Sequence, residues 1–169
     1  MQNNAQALAQ LVEIEAIKQL KYQYLRHVDL KEWDAVAALF TADVVSAYAD
    51  GKYSYQGREA VVGFLSQSLS HKRVVTTHQV HHPQITLGED LTTAQGVWYL
   101  TDTVINTVSR DSAKHFCISG AGFYDERYVK TADGWKIASI GYRRVYEETT
   151  ARPAHLVLEY KSRFLGDFE

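Results

Sequence analysis

Three of the seven histidines in this 169-residue chain lie in one segment, residues 76–84, which reads TTHQVHHPQ. Histidine is the usual general base near neutral pH, because its imidazole exchanges a proton in that range. The segment alone does not choose among His78, His81 and His82, and each is more often an exposed or structural residue than a catalytic one. It therefore offers a candidate base in three possible positions.

A second candidate is a carboxylate on an apolar strand face. Over residues 93–108 the alternation of a β-strand places Asp102 on one face between Leu100 and Val104. Burying a carboxylate among such neighbours costs free energy unless it has a partner or a chemical role. Asp102 is thus either a functional group in a pocket or an exposed side chain, if the alternation of inner and outer positions in this strand is shifted by one residue.

A third candidate is an arginine in the last predicted strand, residues 135–147. The alternation of a β-strand predicts one shared face for Ala138, Ile140, Tyr142, Arg144 and Tyr146. It places Arg143 on the opposite face. Arg144 either reaches solvent at the end of the sheet or binds a buried carboxylate or a substrate oxygen.

The first predicted helix ends with two further candidates. Tyr24 lies on its apolar face, where its hydroxyl could enter a cavity or its ring could simply pack. Asp29 could cap the helix that follows, since an acid stands three residues later. The alternative is that Asp29 orients a histidine and raises its basicity.

Composition limits the possible classes of protein. The 46% hydrophobic and 22% charged content is typical of a soluble globular domain, and a net charge of −2 favours neither nucleic acid nor an anionic membrane as a partner. A single cysteine excludes an internal disulfide, and no metal or cofactor motif is present, so we expect neither metal nor cofactor. The N-terminal segment lacks the features of a signal peptide, so we expect a cytoplasmic protein.

The hydrophobic pattern predicts helices before strands, which is typical of an α+β domain. The predicted helices cover residues 7–28, 33–40 and 59–69. The predicted strands cover residues 44–48, 52–55, 74–80, 84–87, 93–108, 114–131 and 135–147. A curved sheet wrapped around the helices would leave a cavity open at one end, and residues from Thr149 onward read as a separate arm or short helix.

Taken in order, several segments resemble one family. They are IEAIKQLKYQYLRHVDLKEWD, VVSAYADGK, THQVHHPQI, TTAQGVWYLTD, GAGFYDERY and DGWKIASIGYRRVYEE, spread over residues 14–148. Together they resemble SnoaL-like proteins of the nuclear-transport-factor-two-like superfamily, and most closely the bacterial bile-acid 7α-dehydratases. The resemblance implies a cone-shaped, cystatin-like fold with a curved antiparallel sheet around N-terminal helices and an internal pocket. We expect a single domain, with the cone in residues 1–148 and a C-terminal arm of the same domain in residues 149–169.

The resemblance also implies a catalytic set. The family's tyrosine, aspartate, histidine, strand aspartate and arginine correspond to Tyr24, Asp29, His78, Asp102 and Arg144. In that pattern the histidine is the general base and the first aspartate orients it. The tyrosine stabilises charge on a substrate oxygen, and the arginine holds the second aspartate, which positions or protonates the leaving hydroxyl.

The implied activity is a cofactor-independent elimination of water from a hydrophobic, steroid-like hydroxy-enone. The scytalone dehydratases carry a second histidine on the strand that here includes residues 117–122, and its absence argues against a scytalone-like substrate. Isomerisation, elimination of hydrogen halide and ring closure remain alternatives on the same site. A non-catalytic role like that of the small subunit of ring hydroxylases is another. The resemblance favours a homo-oligomer, with a trimer preferred over a dimer.

Overall fold

The computed structural model describes residues 2–159, which form three helices and six strands. The helices are α1 (Gln2–Leu30), α2 (Trp33–Ala38) and α3 (Arg58–Leu69). The strands are β1 (Phe40–Tyr48), β2 (Tyr53–Gln56), β3 (Val74–Leu87), β4 (Thr93–Asn106), β5 (Phe116–Thr131) and β6 (Gly134–Ala151), with a 3-10 turn at Ser112–Lys114 before β5. No helix among these residues has the length and apolar composition needed to cross a bilayer.

The strands form one curved sheet in the order β2-β1-β6-β5-β4-β3, which confirms the predicted α+β class. Strands β3 to β6 are consecutive antiparallel neighbours, and β2 pairs antiparallel with β1. One pairing departs from the predicted antiparallel arrangement: β1 and β6 run parallel. Strand β6 follows β5 after a short turn and therefore runs antiparallel to it. In that orientation β6 is parallel to β1, its neighbour on the other side.

Helix α1 packs on the inner face of the sheet, the face turned toward the helices, through a stripe with helical spacing. Ile17, Tyr24 and Val28 are buried there, at intervals of seven and four residues. The predicted apolar stripe began earlier, but Leu8 and Leu11 are exposed. The buried stripe of α1 therefore starts at Ile17, in the fifth turn of the helix, and Leu8 and Leu11 lie outside the core.

The structure joins two predicted strands into one. Strand β3 runs from Val74 to Leu87, and its pairing with β4 is irregular between His81 and Gln84. His82 has a φ of 27°, and Pro83 has no backbone N–H to donate to the ladder. The break predicted at this position is thus a β-bulge within a continuous strand.

Two β-bulges change the face predicted for β6. Ile137 and Ile140 are both buried although they are three residues apart, and a second register shift follows Arg144. Each bulge adds a residue and reverses the alternation beyond it. Ala138 and Tyr146 therefore leave the predicted face, with Tyr146 exposed, and Glu147 takes the inner position instead.

Strand β6 continues three residues beyond the predicted start of the C-terminal arm. Ala151 pairs with Phe116, and the N–H of Arg152 donates to the carbonyl of His115 at 2.8 Å. These backbone bonds include residues 149–151 in the sheet. Residues 152–159 contain neither helix nor strand, and the rest of the predicted arm, residues 160–169, lies outside the described residues.

A fully buried ion pair joins α1 to β5 where the helix packs on the inner face of the sheet. Lys21 donates to the carboxylate of Glu126, and both side chains are inaccessible to solvent. Tyr128 also donates to Glu126, and the indole of Trp98 donates to Tyr128 at 2.8 Å. The Lys21 ammonium lies 3.3 Å from the centroid of the Tyr124 ring. Burial lowers the pKa of Lys21, and Glu126 opposes that change.

We expect Lys21→Met to lower the free energy of unfolding by about 3–5 kcal/mol, because it leaves Glu126 buried without a cation. Denaturant unfolding measures the loss. Lys18→Met, on the exposed side of α1, is the matched control and should change stability by less than about 0.5 kcal/mol. The double variant Lys21→Met/Glu126→Gln should recover most of the loss. If it is as unstable as the single variant, the unpaired charge is not the cause.

Candidate active site

The cavity between the helices and the inner face of the sheet has a volume of about 530 Å³. Small-molecule sites of about 300–1,000 Å³ are common. Apolar and aromatic side chains from α1, α3 and five strands form most of the wall, including Leu25, Phe64, Leu100 and Ile118. A few polar groups converge among them, which is the arrangement expected of a site for a hydrophobic molecule.

His78 lines this cavity and is held from behind by Asp29. Its Nδ1 lies 2.7 Å from Oδ1 of Asp29, and its backbone N–H donates to Oδ2 at 2.9 Å. The carboxylate thus fixes both the backbone and the ring of the histidine. With Nδ1 donating its proton to Asp29, Nε2 is the nitrogen that can accept a proton from a ligand.

Asp29 therefore orients a histidine rather than capping the next helix. It lies in the last turn of α1, and a further bond comes from the Thr76 hydroxyl, which donates to its Oδ1 at 2.8 Å. Helix α2 starts after Glu32, whose side chain makes no capping bond. Of the two interpretations of Asp29, the geometry supports the one in which this residue orients a histidine.

Arg144 and Asp102 form a bidentate ion pair on the cavity wall. Nη2 of Arg144 donates to Oδ2 of Asp102 at 2.9 Å, and Nη1 donates to Oδ1. Nε of the arginine lies 3.3 Å from the carboxylate of Glu147, and its guanidinium lies 4.7 Å from the centroid of the Tyr142 ring. Burial opposes the charge of Arg144, but the bonds to Asp102 raise its pKa.

The Arg144–Asp102 ion pair joins β6 to β4 across the strand between them, β5. A glycine on β5 leaves room for the arginine side chain. Asp102 on β4 pairs with Gly120 on β5, which pairs with Glu147 on β6. A Cβ atom at Gly120 would lie 2.8 Å from Nη1 of Arg144. The arginine therefore passes through space that any other residue at position 120 would occupy.

Two phenols meet at the inner end of the cavity. The hydroxyls of Tyr24 and Tyr48 are 3.2 Å apart, and both side chains are buried. Burial raises the pKa of Tyr24 and of Tyr48 well above the ordinary value for tyrosine. Both phenols are therefore neutral near pH 7 and can donate a hydrogen bond to a ligand oxygen.

The structure brings the five predicted site residues together. Tyr24, His78, Asp102 and Arg144 line the cavity, and Asp29 stands one hydrogen bond behind His78. The other two candidate histidines do not line it. His82 stacks instead on the ring of Tyr99, with centroids 5.6 Å apart, and His81 lies 6.1 Å from His82.

Three further polar residues of the site were missed in the sequence. Tyr48 shares the inner face of β1 with Val44 and Ser46, so the alternation of that strand would have found it. Thr76 lies two residues before His78 and so shares its face, which is also a readable signal. Glu147 could not be found in the same way, because uninterrupted alternation from Arg144 leads to Tyr146 and does not show the bulge after Arg144.

Two other grooves have similar volumes, about 530 and 580 Å³, and lie on the opposite face of the sheet. Strand backbone and exposed side chains such as Gln95 and Arg127 form them, and they lack a histidine or a buried ion pair. Within residues 2–159 no three His, Cys, Asp or Glu side chains are grouped closely enough to hold a metal ion. The inner cavity is therefore the candidate active site.

Comparison with known proteins assigns the chain to a family. The family described as SnoaL-like domain matches residues 9–140, most of the chain. The chain therefore belongs to the SnoaL-like family, which confirms the family-level resemblance found in the sequence.

Solved structures share this fold at low identity. A candidate scytalone dehydratase from Novosphingobium aromaticivorans is 22% identical with a TM-score of 0.71, over 88% of this chain and 97% of that one. A hexachlorocyclohexane dehydrochlorinase from Novosphingobium barchaimii is 18% identical with a TM-score of 0.73, over 90% and 99%. An NTF2-like protein with a cystatin-like fold, also from N. aromaticivorans, is 19% identical with a TM-score of 0.66, over 86% and 90%. These similarities establish the fold.

We expect Gly120→Ala to reduce turnover about 10- to 100-fold, because the added methyl group displaces Arg144 from Asp102 and small misplacements in a site have effects of this size. Steady-state kinetics measures the loss. The methyl group would also lie 2.9 Å from the carbonyl oxygen of Tyr146, so stability should fall by about 1–3 kcal/mol. Gly63→Ala on α3 meets no atom within 4 Å and is the matched control. Unchanged turnover in Gly120→Ala would refute this account of the ion pair.

Proposed function

We propose that this protein is a cofactor-independent lyase that eliminates water from a hydrophobic hydroxy-enone, with a steroid of the bile-acid type as substrate. The observation that carries the proposal is the arrangement of the His78–Asp29 pair, the Arg144–Asp102 pair and the Tyr24 phenol around one largely apolar cavity. A base, a polar contact for a leaving group and a neutral donor are the parts that such an elimination needs.

The base removes a proton made acidic by conjugation. In a 3-oxo-4-ene steroid with a 7α-hydroxyl, the carbon between the alkene and the hydroxyl-bearing carbon carries that proton. His78 takes it through Nε2, while Asp29 stabilises the imidazolium that forms. Negative charge then develops on the ketone oxygen, and the phenol of Tyr24 donates a hydrogen bond to it.

The second half of the reaction breaks the carbon–oxygen bond. The electrons return from the enolate, a new carbon–carbon double bond forms, and the hydroxyl departs. A carboxylate held by two guanidinium N–H groups accepts hydrogen bonds, so Asp102 positions the hydroxyl rather than protonating it. The proton taken by His78 is transferred to the departing oxygen, which releases water and restores the neutral histidine.

The same geometry bears on the other candidate functions. Isomerisation, ring closure and elimination of hydrogen chloride all begin with proton removal, so His78 and Asp29 suit each of them. One of the similar structures is a dehydrochlorinase, which supports elimination as the reaction class. A non-catalytic binding subunit has no need of a partly buried imidazole oriented by a carboxylate. Copurification with a large iron–sulfur protein would favour that role.

We also propose a homo-oligomer, and the family resemblance favours a trimer. Exposed apolar side chains support an assembly, since Leu8, Leu11 and Val12 project from α1 and Val97 and Phe123 lie on the outer face of the sheet. We expect light scattering of the purified protein to give three times the mass of the chain. A monomer mass at micromolar concentration would contradict the assembly, and a dimer mass would contradict the trimer.

The decisive assay incubates the protein with a 7α-hydroxy-3-oxo-4-ene steroid. We expect the ultraviolet absorbance of the extended dienone to increase, and mass spectrometry to show a product lighter by one water. A 7α-chloro analogue tests halide elimination, which forms the same dienone but releases chloride instead of water. A 5-ene analogue tests isomerisation, which gives a 4-ene ketone of unchanged mass. No turnover of the hydroxy-enone, together with turnover of another analogue, would reassign the reaction.

The base is tested in the same assay. His78→Ala should reduce kcat about 10²–10⁴-fold, which is the usual contribution of a positioned base. His82→Ala is the matched control, since that ring lies outside the cavity and should leave kcat close to wild type. If His78→Ala retains the wild-type rate on a confirmed substrate, the base is another group.

A further inference from the structure

Lys31 follows the last residue of α1, and its side chain turns back onto β3. Its Nζ donates to Oγ1 of Thr76 at 2.9 Å. That hydroxyl donates to Oδ1 of Asp29 at 2.8 Å, and the same Oδ1 lies 2.7 Å from Nδ1 of His78. A continuous chain of hydrogen bonds therefore joins a primary ammonium to the candidate base.

The chemistry of the groups sets the direction of this chain. An ammonium has donors only, so the oxygen of Thr76 must accept from Lys31 and can direct its single hydrogen to Asp29. An ionised carboxylate only accepts, so the shared Oδ1 receives its second hydrogen bond from Nδ1 of His78. Without Lys31, the Thr76 hydroxyl could rotate, and the carboxylate would lose a fixed partner.

Lys31 costs the fold in two ways. Its φ of 62° lies in the left-handed region, where glycine or asparagine is favoured at the end of a helix. Burial lowers its pKa to about 8, and the nearby charge of Asp29 only partly offsets this. Between pH 8 and the pKa of a lysine in the unfolded chain, the unfolded state binds more protons at this group than the folded state does. Lowering the pH through this range therefore reduces the free energy of unfolding. Strained and perturbed residues of this kind cluster at functional sites.

We propose that Lys31 is a positioning residue for the general base: acting through Thr76 and Asp29, it fixes the tautomer of His78 and disfavours the protonated imidazole. The proposal rests on the proposed function only in assigning His78 as the base. Lys31 does not line the cavity, so it acts on the histidine and not on the substrate. Its positive charge extends the range of pH over which His78 remains able to accept a proton.

Other charged and titratable groups surround this chain and have to be separated from Lys31. They are Glu32 after α1, His71 and Lys72 in the turn before β3, Asp102 on β4, Tyr24 on α1, and Arg144 and Glu147 on β6. Among residues 2–159, Asp29 is the group that bonds directly to His78 and, through Thr76, to Lys31. A change at Lys31 is therefore expected to reach the imidazole through this carboxylate.

The sharpest variant is Lys31→Gly, because it removes the amine and relieves the backbone strain together. We expect its melting temperature to equal or exceed that of wild type. We expect kcat to fall about 10- to 100-fold, as for loss of a charge-assisted hydrogen bond. KM should stay within about threefold, since no cavity contact changes. The acid limb of the kcat/KM profile should move to higher pH by about half a unit or more.

Three further variants separate charge from geometry. Lys31→Arg keeps the charge and a donor and should retain most of kcat and the wild-type acid limb. Thr76→Val interrupts the hydrogen bonds but keeps the charge, so kcat should fall while the acid limb moves less. Lys18→Met removes one positive charge from the exposed side of α1 and should change neither. A kcat for Lys31→Gly within twofold of wild type, with an unmoved acid limb, would overturn the proposal.

A measurement without substrate keeps the test independent of the reaction. Nitrogen-15 spectra of the histidine ring should show His78 protonated at Nδ1 in wild type and a mixture of tautomers in Lys31→Gly, with the titration midpoint of His78 at higher pH. Lys31→Met gives the same readout if the glycine variant fails to fold. An unchanged tautomer and midpoint in whichever variant folds would refute the role of Lys31. A shifted midpoint together with no turnover of the hydroxy-enone would support Lys31 and refute the proposed function instead.

Discussion

The registration of β3, β4, β5 and β6 determines whether the functional side chains meet. His78 lies opposite Asp102, Asp102 lies opposite Gly120, and Gly120 lies opposite Glu147, so one row crosses four strands. Directly opposite residues in an antiparallel pair have Cα atoms only about 4.5–5.5 Å apart. A slip of one residue would turn a whole strand over and move its part of the row to the outer face. The buried aromatic side chains of β4 and β5 oppose such a slip, because it would expose Trp98 and Tyr124.

Within that frame, the predicted catalytic carboxylates are both paired, and the phenol of Tyr24 is neutral. The guanidinium of Arg144 occupies both oxygens of Asp102, and Asp29 supports His78. These pairs reduce the cost of placing ions in an apolar wall. The high pKa of the Tyr24 phenol keeps it a donor rather than an anion. The cavity thus offers a donor, an acceptor and an ion pair at fixed positions, which suits reactions in which charge moves between two substrate oxygens.

Much of the site could be predicted from local patterns. Helical spacing placed Tyr24 on the apolar face of α1, and strand alternation placed Asp102 on one face with Leu100 and Val104, because both patterns depend only on near neighbours. Alternation failed on β6, where bulges moved Tyr146 outward and Glu147 inward. A bulge reflects the fit between neighbouring strands, so it has no strong local signal. The choice of His78 among three histidines came from the family resemblance and not from the residues.

Contacts between distant segments were beyond sequence reasoning. Lys21 and Glu126 are 105 residues apart, and each alone resembles an ordinary surface charge in a helix or a strand. Their burial depends on the packing of α1 across β5, which no periodicity describes. The same holds for Lys31 and Thr76, which are 45 residues apart.

Backbone strain is concentrated where these long-range contacts serve the site. Five non-glycine residues of the described chain have positive φ, and three of them adjoin the cavity or its hydrogen-bond chain: Lys31, Ala49 and Asp50. A left-handed conformation costs a residue such as alanine or lysine about 1–2 kcal/mol. Ala49 and Asp50 turn the chain from β1 into β2 beside the cavity, and Lys31 turns it from α1 toward α2. At Lys31, a substitution that relieves this strain is therefore expected to stabilise the fold at the expense of the geometry that orients the base.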